Sequence, residues 1–330
     1  MKDVLNKLFK YEKLSKQEAF EILSNLASGQ YNNSQMAAFM TVYIMRGISV
    51  EELAGFREAM LELCVRVPLD DFDAIDLCGT GGDGKNTFNI STISSFVTAG
   101  AGQAVVKHGN YGVSSVSGSS NVLESLGAKF TNHIDTIKRS MDESGISFLH
   151  APLFHPAMKN VGPVRRELGV KTFFNMLGPM VNPAFPKSQI VGVFSLELAR
   201  LYGYLYQNTD KNFMIIHALD GYDEVSLTSG FKTVTREREE VFQPEDLGLK
   251  RLTQEQLHGG DSVEEAAKIF MSILENKGTE AQKEVILANA GLAIATGKQI
   301  SIADGIAQAK ESLESGKALN SFKKFVEVNS

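Results

Sequence analysis

Cysteine is scarce. Cys64 and Cys78 are the only two in 330 residues and lack CxxC spacing. They exclude a disulfide framework, and the sequence predicts a reducing compartment, by default the cytoplasm. Positive charge is also short: 33 Lys and Arg against 39 Asp and Glu leave a formal net charge of −6. That balance argues against nucleic-acid binding, which rests on clustered cations neutralising phosphates, so an anionic ligand needs a local site. No window approaches the about 18 uninterrupted apolar residues of a spanning helix, and no membrane partner is expected. The N-terminal MKDVLNKLFKYEK interleaves Lys, Asp and Glu among its apolar residues, unlike a signal peptide. Low-complexity tracts and repeats of roughly 20 to 50 residues are absent too.

What is present is enough apolar material, 43% of the chain, for one large domain and a smaller one. The first 67 residues read as helical: Ser15 with Glu18, and Ser49 with Glu52, are capping-box patterns, and Gly29 and Gly47 fit helix ends. Between them Phe20, Leu23 and Leu26, then Met36, Phe39, Met40 and Tyr43, recur at helical spacing. Pro68 and the acidic run to Asp73 read as a linker. From Ala74 onward AIDLC, QAVVKH, GISFLHA, SQIVGVF and NFMIIHA look like buried strands, separated by helical stretches at 120–126, 134–143 and 196–207. This alternation predicts an α/β class with a mainly parallel central sheet covered on both faces. Helices are expected near 261–276, 279–297 and 301–315, and a strand region around 232–242.

Four segments carry candidate chemistry. In Asp76–Thr92 a strand enters a glycine-rich loop and then a helix. Gly79, Gly81, Gly82 and Gly84 let backbone N–H groups approach phosphate oxygens, and Asn89, Ser91 and Thr92 open a helix whose N-terminus favours an anion. A glycine-rich turn with a Ser or Thr cap has the same outward pattern. The segment is neither GxGxxG nor GxxxxGK[ST]. Lys107–Ser120 follows the next strand and offers one charge with many hydroxyls, or else a serine-rich surface loop. Polar loops beyond neighbouring strand ends can converge on one crevice. Asp223-Glu224 can hold Mg²⁺ when a phosphate ligand supplies further oxygens, although such pairs are also common surface charge. In His150–Gly169, Pro156 and Pro163 are expected at helix starts, and Arg165 and Arg166 are equal candidates for a planar fork to a carboxylate. His150 and His155 lack metal-ligand spacing and read as structural or substrate-lining residues.

In this order GTGGDGKNTFNIST, KHGN with its serine-glycine run, HPAMKNVGPVRRELGVKTFFNMLGPMVNP and DGYDEVSL resemble the anthranilate phosphoribosyltransferase family over nearly the whole chain. The resemblance implies a homodimer with a small helical domain, residues 1–70 joined by about 163–184, and a large α/β domain, 71–330, with the active site in the cleft. By matching positions Gly79, Gly82, Asp83, Thr87, Asn89, Ile90, Ser91, Thr92, Lys107 and Ser119 would hold phosphoribosyl pyrophosphate. Ser91, Asp223 and Glu224 would hold Mg²⁺, while Gly79, Asn110 and Arg165 would meet anthranilate; Arg165 rather than Arg166 occupies the motif position. The chain departs from many members in having Tyr111-Gly112 for Arg-Ala, Val116 for Lys and Glu265 for Asn. Two cations are thereby lost, which shifts the expected phosphate contact to Lys107 and to backbone N–H groups.

The activity so implied is transfer of the 5-phosphoribosyl group to the amine of anthranilate, in tryptophan biosynthesis. Lys107, Asp223 and Glu224 would act electrostatically, since an aromatic amine is already neutral at pH 7 and needs no strong base. Pyrimidine nucleoside phosphorylases, similar in fold, share a glycine-rich loop and a KH segment. A catalytically silent nucleic-acid-binding relative is the other alternative. Arg165 points to a carboxylate-bearing acceptor and the intact Asp223-Glu224 pair to an active enzyme.

Overall fold

A computed structural model of the chain describes residues 1–112 and 116–330; the Ser114-Ser115 part of the serine-rich loop lies outside the described residues. The polypeptide divides into two compact units, Met1–Arg66 with Ala151–Pro183, and Val67–His150 with Ala184–Ser330. These bounds differ from the sequence expectation mainly at 151, because β3 ends at His150 and the chain leaves the sheet there.

The first unit contains α1 (Lys2–Phe9), α2 (Lys16–Ala27), α3 (Asn33–Arg46) and α4 (Val50–Glu62). Ser15 and Ser49 form reciprocal capping boxes with Glu18 and Glu52, and Asn32 with Gln35 does the same for α3. Glu52 has a second task. Fully buried, it accepts from Leu14 N at 2.9 Å and Tyr43 Oη at 3.1 Å and pairs with the Arg46 guanidinium. Burial pushes its carboxyl up, but Arg46 and the N–H donors of Leu14 and Ser49 outweigh that and hold it low. Beside it Phe39, Tyr43 and Phe56 meet Phe173 from the returning segment, with Phe56 and Phe173 stacked at 4.6 Å.

The second unit is built on β1 (Ile75–Gly79), α5 (Ile90–Gly100), β2 (Val105–Gly109), α6 (Ser119–Ser125), α7 (Ile134–Ser144) and β3 (Ile146–His150). The chain then gives α8 (Ala151–Phe154), α9 (Met158–Leu168) and α10 (Phe174–Leu177) to the first unit. It returns with β4 (Ser188–Gly192), α11 (Leu196–Gln207), β5 (Asn212–Ala218), β6 (Phe231–Val234), β7 (Glu239–Phe242) and the helices α12 (Val263–Leu274), α13 (Glu280–Lys298), α14 (Ile302–Glu314) and α15 (Lys317–Val328). Among the described residues the strands form one sheet in the order β3-β2-β1-β4-β5-β6-β7, parallel from β3 to β5. The expected 232–242 region is the antiparallel β6–β7 hairpin at the sheet edge. Phe96 of α5 packs edge-on against Phe270, Phe322 and Phe325, which seats α12 and α15 on the same core.

Two local expectations need correction. Pro163 lies inside α9 rather than at a helix start. Its fixed φ is helical, the cost is one missing N–H, and Gly162 before it has no Cβ for the proline ring to strike. The expected helices end at 315, whereas α15 follows at Lys317–Val328 and buries Ala318, Ser321, Phe322, Phe325 and Val328 on one face at helical spacing. No single described helix is long and apolar enough to cross a membrane.

Candidate functional site

Strand order reverses between β1, which leads outward to β2 and β3, and β4, which leads to β5. Open α/β sheets bind ligands beyond the strand ends at such a switch point. Here the two strands finish in register on Gly79 and Gly192, and a Cβ on either glycine would collide with Asp223. The missing side chains create the space into which Asp223 fits. Beyond Gly79, Gly81, Gly82 and Gly84 adopt φ of 66°, 76° and 75°, a left-handed course that other residues resist. The Gly81 N–H donates to Asp223 Oδ2 at 2.6 Å, which ties the glycine-rich loop to the Asp223-Glu224 loop.

Lys107 reaches from β2 under this loop. Its ammonium, buried, donates to the Leu77 carbonyl and, at 3.3 Å, to Ser91 Oγ, while the Ser91 N–H donates to Glu224 Oε1 at 2.9 Å. Burial lowers the Lys107 pKa against the pull of Cys78, Asp76, Glu224 and Asp223. Both carboxylates shift the other way. Burial and the nearby Asp83 raise Asp223 despite the Gly81 N–H, and burial with the charge of Asp223 raises Glu224 well above the usual range despite the Ser91 N–H and Lys107. Burial first, and then the crowding of the acids, lifts both carboxyls together, with Lys107 only partly offsetting this at Glu224.

Among the described residues no group of three or more His, Cys, Asp or Glu side chains forms a ready metal cage. Asp223, Glu224 and the Ser91 hydroxyl are nevertheless hard oxygen donors, suited to a hard cation that takes its other ligands from substrate phosphates and water. They fit Mg²⁺ in chemistry and in unmet charge.

The other expected residues surround this centre to different degrees. Asn89 caps α5 by position, and its Nδ2 donates to the Ser117 carbonyl at 3.0 Å, tying α5 to the serine-glycine segment. Ser119 Oγ donates to the Asn110 carbonyl at 3.2 Å. Asp83 Oδ1 accepts from Lys85 N at 3.0 Å. Thr87 forms a β-bridge with His258, so the Gly259-Gly260 turn braces the glycine-rich loop. Ile90 and Thr92 are buried, with the Ile90 side chain in the hydrophobic core and its N–H donating to Phe88 O at 2.6 Å. Tyr111 points to Glu124, donating to Oε1 at 2.8 Å, and Val116 is exposed, so neither brings a cation. Glu265 accepts from Asp261 N at 2.8 Å at the start of α12. His150 lies in an aromatic stack with Phe130, its Nδ1 2.9 Å from Ser120 Oγ.

Sequence reasoning missed two residues here. Asn289 of α13 accepts from Val225 N at 3.0 Å and donates to Val225 O at 2.9 Å, holding the loop just after Glu224 with both ends of its amide. Gly192 is the other. A lone asparagine in a helix carries no local signal, whereas Gly192 inside an apolar strand was a visible hint of close backbone approach.

In the helical unit, Arg165 is half-buried and Arg166 exposed. The Arg165 guanidinium lies 5.2 Å over the Phe174 ring and donates to Asn175 Oδ1 at 3.4 Å; no carboxylate among the described residues pairs with it. Burial pulls its pKa down. His155, expected to be structural or to line a substrate, is buried in the same unit.

The glycosyl transferase family a/b domain matches residues 71–319, and the helical bundle domain of the glycosyl transferase family matches residues 2–64. The anthranilate phosphoribosyltransferases of Christiangramia forsetii and Flavobacterium psychrophilum are each 60% identical over 329 residues, covering 100% of this chain and 99% and 100% of theirs. Among solved structures, the crystal structure of anthranilate phosphoribosyltransferase from Thermus thermophilus superposes with a TM-score of 0.92 at 33% identity, over 99% of both chains. The Saccharomyces cerevisiae anthranilate phosphoribosyltransferase in complex with PRPP and Mg gives 0.90 at 28% identity, over 98% of this chain and 96% of that one. With matches at this identity along its whole length, the chain belongs to the anthranilate phosphoribosyltransferases of the glycosyl transferase family.

Proposed function

We infer that this protein transfers the 5-phosphoribosyl group of phosphoribosyl pyrophosphate to the amine of anthranilate, releasing pyrophosphate, as a step of tryptophan biosynthesis. The observation that carries the reading is the Lys107–Ser91–Glu224 chain, with Asp223 seated against Gly79 at the switch point of the sheet.

Gly79, Gly82, Asp83, Thr87, Asn89, Ile90, Ser91, Thr92, Lys107 and Ser119 are the proposed donor-binding set. Loop N–H groups and the α5 N-terminus would receive phosphate oxygens, with Ile90 and Thr92 contributing by packing the start of that helix. Asp223, Glu224 and Ser91 would hold Mg²⁺, which when bound offsets negative charge on the pyrophosphate as it departs. Lys107, fixed by Leu77 and Ser91, places a second positive charge there without having to reorganise. As the C1–O bond breaks, the electron pair leaves with pyrophosphate, the lone pair of the amine nitrogen forms the bond to C1, and the ammonium so formed releases its extra proton to solvent or to the departing pyrophosphate. Anthranilate recognition is proposed for Gly79 and Asn110 in the α/β unit and for Arg165 in the helical unit, whose fork pairs with no carboxylate among the described residues.

The protein is proposed to be a cytoplasmic homodimer. Its two cysteines are free, as a reducing compartment requires, and the end of α1, the turn after it and α3 leave Phe9, Tyr11, Ile44 and Met45 exposed. Light scattering at micromolar concentration tests the dimer.

The activity is tested by anthranilate fluorescence over time with phosphoribosyl pyrophosphate, with and without Mg²⁺, for wild type and for Asp223→Asn with Glu224→Gln. Mg²⁺-dependent loss of signal that vanishes in the double variant is the expected result. Absence of consumption by folded wild type overturns the reading and brings forward the phosphorolysis of pyrimidine nucleosides.

A further inference from the structure

We propose that Lys85 is a second cation for the anionic end of the donor, stored on the face of Tyr222 until the ligand arrives. The inference rests on the transferase reading above and concerns a residue outside its donor-binding set.

The charge balance motivates it. Asp83, Asp223 and Glu224 gather at the two loops, and Lys107 is buried and committed to Leu77 and Ser91. A phosphoribosyl pyrophosphate adds several further negative charges. Tyr111 and Val116 supply none, since Tyr111 bonds Glu124 and Val116 is apolar. Lys85 is the single basic residue between Gly79 and Thr92, so any other cation contributed by the cradle itself must be this one.

Its geometry suits a mobile head on a fixed root. The backbone N–H of Lys85 donates to Asp83 Oδ1 at 3.0 Å, directly after Gly84 in its left-handed turn. At the other end the ammonium stands 4.6 Å from the centre of the Tyr222 ring, and no ion pair with a carboxylate holds it among the described residues. Tyr222 is buried and immediately precedes Asp223, so the charge is parked beside the loop that carries the acids. A neutral aromatic face holds a half-exposed ammonium weakly, whereas phosphate oxygens give charge-assisted hydrogen bonds. Four flexible carbons let the head exchange one for the other while the loop stays in place.

The test is calorimetric titration of the full-length protein with phosphoribosyl pyrophosphate in Mg²⁺, at low and at raised salt, for wild type, Lys85→Gln and Lys85→Arg. Lys85→Gln is expected to weaken binding about tenfold at low salt, the size of one lost charge-assisted contact, and to flatten the salt dependence; Lys85→Arg should stay within about threefold of wild type. Unchanged binding by Lys85→Gln overturns the proposal, as does an equal loss in Lys85→Arg, which would assign the effect to packing on Tyr222 rather than to charge. If wild type itself fails to bind this ligand, the transferase reading falls as well, so the two failures are distinguishable.

Discussion

Gly79 and Asp223 share one small volume: the glycine ends β1 without a side chain, and the carboxylate of Asp223 occupies the place where a Cβ would stand, accepting from the Gly81 N–H at 2.6 Å. The same aspartate fills the Cβ position of Gly192, so both ends of the switch point are shaped around it.

Gly79→Ala should therefore displace Asp223 rather than unfold the sheet. Overpacking of this kind costs about 1–3 kcal/mol, so a melting point lower by several degrees is expected, with transfer activity reduced at least about tenfold. Thermal melts and fluorescence rates on the same preparation check this; a fully active Gly79→Ala would show that Asp223 is not held in place by that contact.

Arg165→Ala is expected to raise KM for anthranilate about tenfold or more, with a smaller effect of Arg165→Lys on folding than on binding because lysine loses the planar fork. Arg166 is exposed, and Arg166→Ala should leave KM for anthranilate within about twofold. Steady-state kinetics at saturating phosphoribosyl pyrophosphate separates the two arginines.

Glu52→Ala removes the acceptor of Arg46, Tyr43, Leu14 and Ser49 at one buried point. Leaving the Arg46 charge without its partner is expected to cost about 3–5 kcal/mol, which urea unfolding followed by circular dichroism would report. A loss below about 1 kcal/mol would mean that water reaches the site.

His155 carries the pH prediction. Burial pushes its pKa down from 6.5 to about 4, against the Val181 backbone. Above pH 6.5 both folded and unfolded chains hold it neutral; between 6.5 and 4 only the unfolded chain takes up the proton. Its contribution is thus fully present at neutral pH and is lost as pH falls, reaching about 3 kcal/mol near pH 4. Subtracting the stability curve of His155→Gln from that of wild type between pH 7 and 4 isolates the slope; parallel curves would show that the imidazole is solvated.

Much of the architecture was legible from side-chain pattern alone. Ser15 with Glu18, and Ser49 with Glu52, mark helix starts because a capping box is made within four consecutive residues. Apolar runs such as NFMIIHA declare buried parallel strands because both of their faces are covered. The glycines of the Gly79–Gly84 loop and the family motifs around Lys107, Asp223 and Arg165 likewise sit in short stretches of sequence. Local order, capping, strand identity and the family itself were therefore determined by the sequence.

Only the tertiary structure decided which of these residues meet. Asp223-Glu224 is ordinary surface charge until β4 and β5 bring it against Gly79, Gly192 and Ser91, more than a hundred residues away along the chain for Gly79 and Ser91. Asn289 clamps Val225 from 64 residues away, and Lys85 rests on Tyr222 from more than a hundred, with no pattern near any of them to announce the contact. The physical reason is range. Hydrogen bonds that close helix ends link neighbours in sequence, whereas burial, charge balance and ring contacts at the site depend on chain segments that only the completed sheet brings together.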